Sequence, residues 1–525
     1  MTVMNENQAV DTARPNHQQK QRIVIAGDGI AAWMAAAALS KAVPATDYSI
    51  IVAGSRENTK DEAPSAVEPF GLSDSTLPWQ YSFPASLELD NDDIVSATGG
   101  SFSYGIAMSG WAKHGESYLH PFGSIGASLG PVSFQHLAMR LRKEGLPIRF
   151  ANYSMAALAA QAGKFARPGS DPHSVLSTCR HGLHIDLEAL VKIFRALAES
   201  AGVSYFPGPI HRIETNEPGN IHAIEVAGGR RIEGDLFVDC TGIESCLMGQ
   251  LPDSGWEDWS AWLPCDHLVS TTIDSSQSPP PFSHAMAHDA GWIRELPLPG
   301  KTVLEGLHNA NIIDEREAVK RLLQSCDGQK PTNVHSGPVR FGRRKQAWLN
   351  NCISLGTSAA LIDPVAISNL QLLRSGINRL LTLLPAGPDA TAVRTEFNRQ
   401  TAMQLDNARD FAILHYKLNG RTGEPFWDIC RSMQMPESLA YKLRLYESNG
   451  LIAMYDEEPL EDGSWLNLYD EHGIRPDRYS PIADGFRPED LLKHLQRVRD
   501  VMMETLKTMP THAEYLLRLK SRSQK

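Results

Sequence analysis

Long apolar runs are missing from this sequence. The longest, Ile30–Leu39, is half the length of about 20 residues that a membrane-spanning helix requires, so no membrane is expected. Excess positive charge is missing too. The formal charge of −11 offers no basic face for phosphate backbones and argues against nucleic acid as a partner. Cysteine is sparse and scattered, at Cys179, Cys240, Cys246, Cys265, Cys326, Cys352 and Cys430. With no Cys-x-x-Cys pair, zinc and thioredoxin-type chemistry lack their usual spacing, and no metal is expected. Thiols beside apolar runs, as Cys352 is beside Ile353, read as small buried hydrophobes. The first twenty residues lack an apolar h-region and read as a disordered tail. A cytoplasmic location is the simplest expectation. No internal repeat or low-complexity segment stands out.

What remains is ordinary globular material, 42% hydrophobic and 21% charged, long enough for two to four structural units. Residues 22–26 read as a strand, Trp33 to Lys41 as an Ala-rich helix, and Tyr48–Ala53 as a second strand, a βαβ opening. Residues 54–96 are mixed, polar and Pro-containing, and are expected to wander over the surface. Ser101–Gly110 reads as a strand ending near Trp111. Asp186 is the expected N-cap of a helix over Leu187–Ser200. Strands are expected at Val203–Phe206, His211–Thr215, Ile221–Val226 and Arg231–Asp239, with a turn at residues 217–220. Ser260–Lys320 mixes strands and Pro-rich turns, and Cys352–Leu355 is a last buried strand. Asp363-Pro364 is expected to open a helix, with Asp as cap and Pro at the first helical position. Beyond Ala392 the chain turns to long amphipathic helices, among them Ala392–Tyr416 and Pro488–Thr508.

Gly27-x-Gly29-x-x-Ala32 is a dinucleotide fingerprint in the required strand-to-helix context. Gly27 permits the tight turn, Gly29 lets a pyrophosphate approach backbone N–H groups at the helix start, and Ala32 need only be small. The acid expected at the end of the second strand to hold the ribose falls at Ala53-Gly54; Glu57 and Glu62 are the nearest carboxylates. Two later strand exits favour flavin over nicotinamide. They are residues 235–242, with Asp239 and Gly242, and residues 356–364, with Gly356, Asp363 and Pro364. In FAD-binding monooxygenase folds such exits bring a helix N-terminus toward the flavin.

Eight segments then occur in one order: GDGIAAWMAAAAL (27–39), GGSFSYGIAMSGW (99–111) with HPFG (120–123), HGLHIDLEAL (181–190), DLFVDCTGIES (235–245), GWIRELPL (291–298), GTSAALIDP (356–364), ARDFAILHY (408–416) and MPTHAEYL (509–516). On these segments the sequence resembles the flavin-dependent tryptophan halogenases from about Ile23 to Leu516. The resemblance implies an α/β fold of the glutathione-reductase/aromatic-hydroxylase type, with a Rossmann-like FAD-binding unit over 21–390. That unit carries inserted β-rich substrate-region strands, and a mainly helical substrate-chamber region follows over 391–525. It also implies reduced FAD from a partner flavin reductase, a small aromatic substrate, and a homodimer or a heterodimer with a related halogenase.

In that family a flavin hydroperoxide reacts with halide, and a lysine assisted by a glutamate aims the hypohalous acid at the substrate. The lysine of the pattern Gly-x-Phe-Lys falls at Ser103, and the glutamate of Asp-Pro-Leu-Glu-Ser falls at Ala366. The second Trp of Trp-x-Trp-x-Ile-Pro is Arg294, and Gly-x-Gly-Glu-Ala is matched to residues 60–64. A serine carries no charge and an alanine no proton, so halogenation itself is not expected. Lys113, the nearest later lysine, reads as a surface residue. His120 and His415 invite an acid–base reading or that of satisfied, partly buried histidines. Trp111, His120, Phe122, Trp292, Tyr455 and Trp465 are the candidates to line an aromatic chamber, with core packing as the alternative. Arg294-Glu295 is a candidate to block or re-charge the region beside it. Three functions stay open: a flavin-dependent oxidoreductase of altered chemistry, a non-catalytic FAD- or ligand-binding paralogue paired with an active halogenase, or, ranked last, a true halogenase whose lysine comes from elsewhere in space.

Overall fold

A computed structural model describes residues 20–54, 70–78, 87, 89–216, 219–326, 328–385 and 390–523. The tail expected before residue 20, Glu57, Glu62 and the stretch 60–64 lie outside them, as does half of the expected turn at 217–220.

The apolar run of Gln21–Ala26 forms the centre of a six-stranded sheet. Its order is Trp348–Leu349, Cys352–Ser354, Leu236–Asp239, Gln21–Ala26, Tyr48–Ala53, Ser204–Phe206. Every pairing but the first is parallel, which demands burial on both faces. The helix Ile30–Ala42 meets that demand with small side chains. Ala31 through Leu39 are all buried, and alanine lets it lie close to the sheet and to the helix Leu187–Ser200. Asp186 caps that second helix through the Ala189 N–H at 3.0 Å, as expected.

A second sheet of seven strands runs Pro331–Pro338, His267–Asp274, Lys301–His308, Gly291–Leu298, Ser283–His288, Gly105–Ser109, Ser117–Pro121. The expected Ser101–Gly110 strand is broken at Tyr104. Its first part, Ser101–Ser103, joins a three-stranded sheet with Gly182–Asp186 and Ser73–Ser75. Residues 54–96 therefore do more than wander: Ser73–Ser75 is buried sheet, and Asn91–Thr98 is a helix. Arg231–Asp239 is two strands, because Gly234 ends the meander strand Arg230–Glu233 before Leu236–Asp239 enters the main sheet. Glu315–Gln324, expected among strands and turns, is a helix capped by Asp314.

The C-terminal helices Thr391–Lys417, Pro425–Ser432, Glu437–Asn449, Asp462–Glu471, Pro488–Thr508 and His512–Ser523 follow. They do not stand apart. One apolar cluster joins Phe122, Trp292 and Ala366 to Phe411, Trp427 and Trp465. No described helix is long and apolar enough to cross a membrane.

Candidate functional site

Three strand ends meet at the first helix. Gly27, at φ +116°, sits so close to the next strand exit that a Cβ would lie 2.4 Å from the Cys240 carbonyl oxygen. Gly356, at φ +63°, approaches Ala31 to 3.0 Å in the same sense. The helix above has Gly29 as its N-cap, no acid in its first turn, and no side-chain cap among the described residues. Backbone N–H groups at such a start form an anion cradle. Gly27, Gly29 and Ala32 lie together at this uncapped helix start. At the ribose end the strand finishes with Ala53, and Gly54 packs against Ile210.

The Asp239 carboxylate is fully engaged within the protein. It accepts from the Thr241 N–H and hydroxyl, the Ser245 hydroxyl, the Leu247 and Met248 N–H groups and the Ser358 hydroxyl. Saturated in this way, it ties the loop at Gly242 to the loop at Gly356; Ser358 also donates to the Gly242 carbonyl at 2.9 Å.

Asp363-Pro364 does not open a helix. Asp363 closes a turn by accepting the Val365 N–H at 3.1 Å, and the helix begins at Asn369 with Ser368 as its cap. Its leading N–H groups are already engaged, Gln371 by Ser368 and Leu370 by Asp74. The Asp363 carboxylate instead accepts the Tyr416 hydroxyl at 2.5 Å, and Tyr416 accepts Trp292 Nε1 at 2.9 Å. Burial pushes the Asp363 carboxyl up to about 6, although the Tyr416, Val365 and Trp292 donors and the Arg294 charge all pull it back.

Around this chain lies an aromatic box. The Trp111 ring stands edge-on to Trp292, Tyr416 and Trp427 at 5.6, 5.6 and 5.3 Å. Beside it, Phe411 contacts His120, His415 and Trp465 at 5.7, 5.1 and 5.0 Å, and His120 contacts Phe122. Both histidines are fully buried rather than partly so. Both His120 ring nitrogens, His415 Nε2, Trp465 Nε1 and Asn467 Oδ1 lack a partner among the described residues. Each such orphan costs about 1–3 kcal/mol unless a polar guest meets it. Burial lowers His120 to about 4, with His472 adding to it, and carries His415 well below its ordinary value. Tyr455 does not join the box; it is 46% exposed. Lys113 is on the surface beside Glu116.

Ser103 is buried, its hydroxyl donating to the Gly105 carbonyl at 2.9 Å. Its ladder partner Gly182 lies so near Phe122 that a Cβ there would be 3.4 Å from the ring. Ala366 is buried in the same cluster as the box. Charge does enter here, through Arg294 and two carboxylates that sequence reasoning missed, Glu305 and Asp74. Arg294 donates Nε to Glu305 at 2.8 Å and lies 3.5 Å from Asp74. All three are buried, and desolvation raises both carboxyls against the pull of Arg294. Glu295 is not part of this charge, because it lies on the opposite sheet face from Arg294. A second missed pair, Lys442 and Glu458, is buried with the Lys442 ammonium 4.5 Å over the Trp465 ring.

Comparison with known proteins accords with this geometry. The family model described as "Tryptophan halogenase" matches residues 22–488. The tryptophan 6-halogenase ThaL of Streptomyces albogriseolus is 25% identical over 448 residues, covering 81% of this chain and 82% of that one. Among solved structures, BrvH, a flavin-dependent halogenase from Brevundimonas sp. BAL3, superposes with a TM-score of 0.89 at 33% identity, covering 95% of this chain and 99% of its own. A flavin-dependent halogenase from Xanthomonas campestris gives 0.89 at 31%, over 96% of this chain and 99% of that one.

Proposed function

Because the chain belongs to the tryptophan halogenase family, we propose that it is an FAD-dependent oxidoreductase that acts on an indole-like or other small aromatic substrate without halogenating it. The observation that carries this reading is the buried aromatic cluster in which five polar atoms, on His120, His415, Trp465 and Asn467, have no partner among the described residues. An aromatic guest seated against this cluster would add ring contacts of the kind it already makes, and a heteroatom on the guest would give the unpartnered atoms a partner. The reading is supported by the cradle at Gly27, Gly29 and Ala32, which would hold the FAD pyrophosphate, with Gly242 and Gly356 bounding it. When bound, reduced FAD from a separate reductase supplies the electrons that activate dioxygen. This chain's own residues exclude water through Trp111, Trp292 and Trp427, and hold a proton between Asp363 and Tyr416. Neither Ser103 nor Ala366 offers the ammonium or the carboxylate that aiming a halogen electrophile requires.

The test is a titration with FAD in both redox states, followed by oxidation of the reduced complex with indoles, with and without halide. We expect micromolar or tighter binding and oxidation stimulated by the aromatic compound, with no halogenated product. A halide-dependent halogenated product would restore the family reaction to this chain. Absence of binding in both states would sink the enzymatic reading. The alternative, a partner subunit of an active halogenase, draws support from the missing acid beside Ala53 and is tested by co-purification with such an enzyme.

A further inference from the structure

On the outer face of the seven-stranded sheet, away from the aromatic box, four polar side chains form a line across four neighbouring strands. The Ser117 hydroxyl lies 2.9 Å from Ser109 Oγ. Ser109 Oγ lies 2.7 Å from His284 Nε2. His284 Nδ1 lies 3.5 Å from Glu295 Oε2. The register makes this line a consequence of strand pairing. Ser109 and Ser117 are direct antiparallel partners, His284 and Glu295 are direct antiparallel partners, and the parallel pairing of Met286 with Ser109 places His284 diagonally beside the serine.

From this arrangement we propose a second, flavin-independent active site in which Ser109 is a nucleophile, His284 its general base and Glu295 the group that orients the imidazole, acting on small activated acyl donors such as aryl esters. The chemistry follows from which nitrogen meets which partner. The imidazole presents Nε2 to the hydroxyl and Nδ1 to a carboxylate, the division of roles that defines a nucleophile–base–carboxylate triad on any fold. Ser109 Oγ forms a bond to the acyl carbon as the bond to the aryl oxygen breaks. The Oγ proton passes to His284 Nε2 and on to the departing phenolate. Water, deprotonated by the same nitrogen, then releases the carboxylic acid and restores Ser109.

The geometry also bounds the substrate class. The Gly110 N–H is bonded to the Glu116 carbonyl at 2.8 Å and Ser109 lies within paired strands, so the donor proposed beside the developing oxyanion is the Ser117 hydroxyl. Each missing oxyanion donor costs about 10²–10³ in rate, which leaves activated esters within reach and amides outside it. Access is open: the His284 and Glu295 side chains are 30% and 31% exposed.

The experiment uses the full-length protein and a tagged fluorophosphonate, whose phosphorus takes Ser109 Oγ as its P–F bond breaks. The adduct is located by peptide mass spectrometry, and p-nitrophenyl acetate gives the turnover. We expect the adduct on Ser109, none at that position in Ser109→Ala, and at least a tenfold slower reaction in His284→Ala, with Glu295→Gln in between. Each variant is checked by circular dichroism; these side chains are partly exposed, and folding is expected to survive. An adduct absent from Ser109, or one forming at an unchanged rate in folded His284→Ala, overturns the proposal. FAD-free protein gives the same result as the loaded protein, which separates this site from the flavin reading.

Discussion

His120 concentrates the electrostatic strain of the chamber. Its ordinary value of 6.5 is lowered to about 4 by burial, so between those values the unfolded chain holds the proton and the native one does not. Its stabilising contribution is complete above about pH 6.5 and is lost as pH falls toward 4. His472, lowered to about 4, and His415 act in the same direction. Asp363 runs the other way. Raised from 3.8 to about 6, it contributes most at low pH and loses that contribution as pH rises through 6. Between pH 7 and 5 His120 and His472 each remove about 2 kcal/mol and Asp363 returns about 1. We expect urea unfolding to show a less stable protein at pH 5 than at pH 7. His120→Phe, which keeps a ring in the box, is expected to shrink that difference by about 2 kcal/mol. An unchanged difference would show that His120 titrates normally in the fold. The family patterns located His120, Ser103 and Ala366 in the sequence. They did not reveal that both His120 nitrogens would be orphaned, because that depends on Phe411 and Trp465 arriving from distant helices.

At the scale of elements, legibility follows how local the deciding interaction is. Tyr48–Ala53, Ile221–Val226 and Pro488–Thr508 were readable to the residue, since alternation, turn residues and a leading proline all act within a few positions. The Asp186 cap was readable for the same reason. We expect Asp186→Ala to cost about 1 kcal/mol for the lost cap, plus a smaller part for the released ion pair with Lys301. Asp186→Asn, which can still cap, should cost less than half as much in urea denaturation; equal losses would mean that the cap is not what holds this helix start. The helix expected at Asp363 failed for the complementary reason. An Asp-Pro pair suits both a cap and a turn, and the choice is made by Asp74, nearly three hundred residues earlier in the chain, which takes Ser368 and the Leu370 N–H. The Ser109–His284–Glu295 line was equally hidden, because it exists only once three strands fall into register.

Across the whole molecule, the expected division near residue 390 is a change of composition rather than a break in packing. Phe122, Trp111, Trp292 and Ala366 share one apolar cluster with Phe411, Trp427 and Trp465. Removing residues 391–525 therefore strips the box of half its walls. We expect the remaining fragment to be insoluble or to lack a cooperative melting transition, and a fragment that melts cooperatively would establish an independent first unit. The strand Gly291–Leu298 joins the scales. Its pleat turns Arg294 inward to Glu305 and Asp74, and Glu295 outward to His284. Two neighbouring codons therefore answer to unrelated constraints. A missense change at either one leaves the other face with its geometry intact, so the interior charge and the outer line can drift apart freely over generations. An insertion or deletion of a single codon between Trp292 and Arg294 has no such freedom, because with the pairing of Trp292 kept it turns Arg294 and Glu295 to each other's faces and disables both in one step.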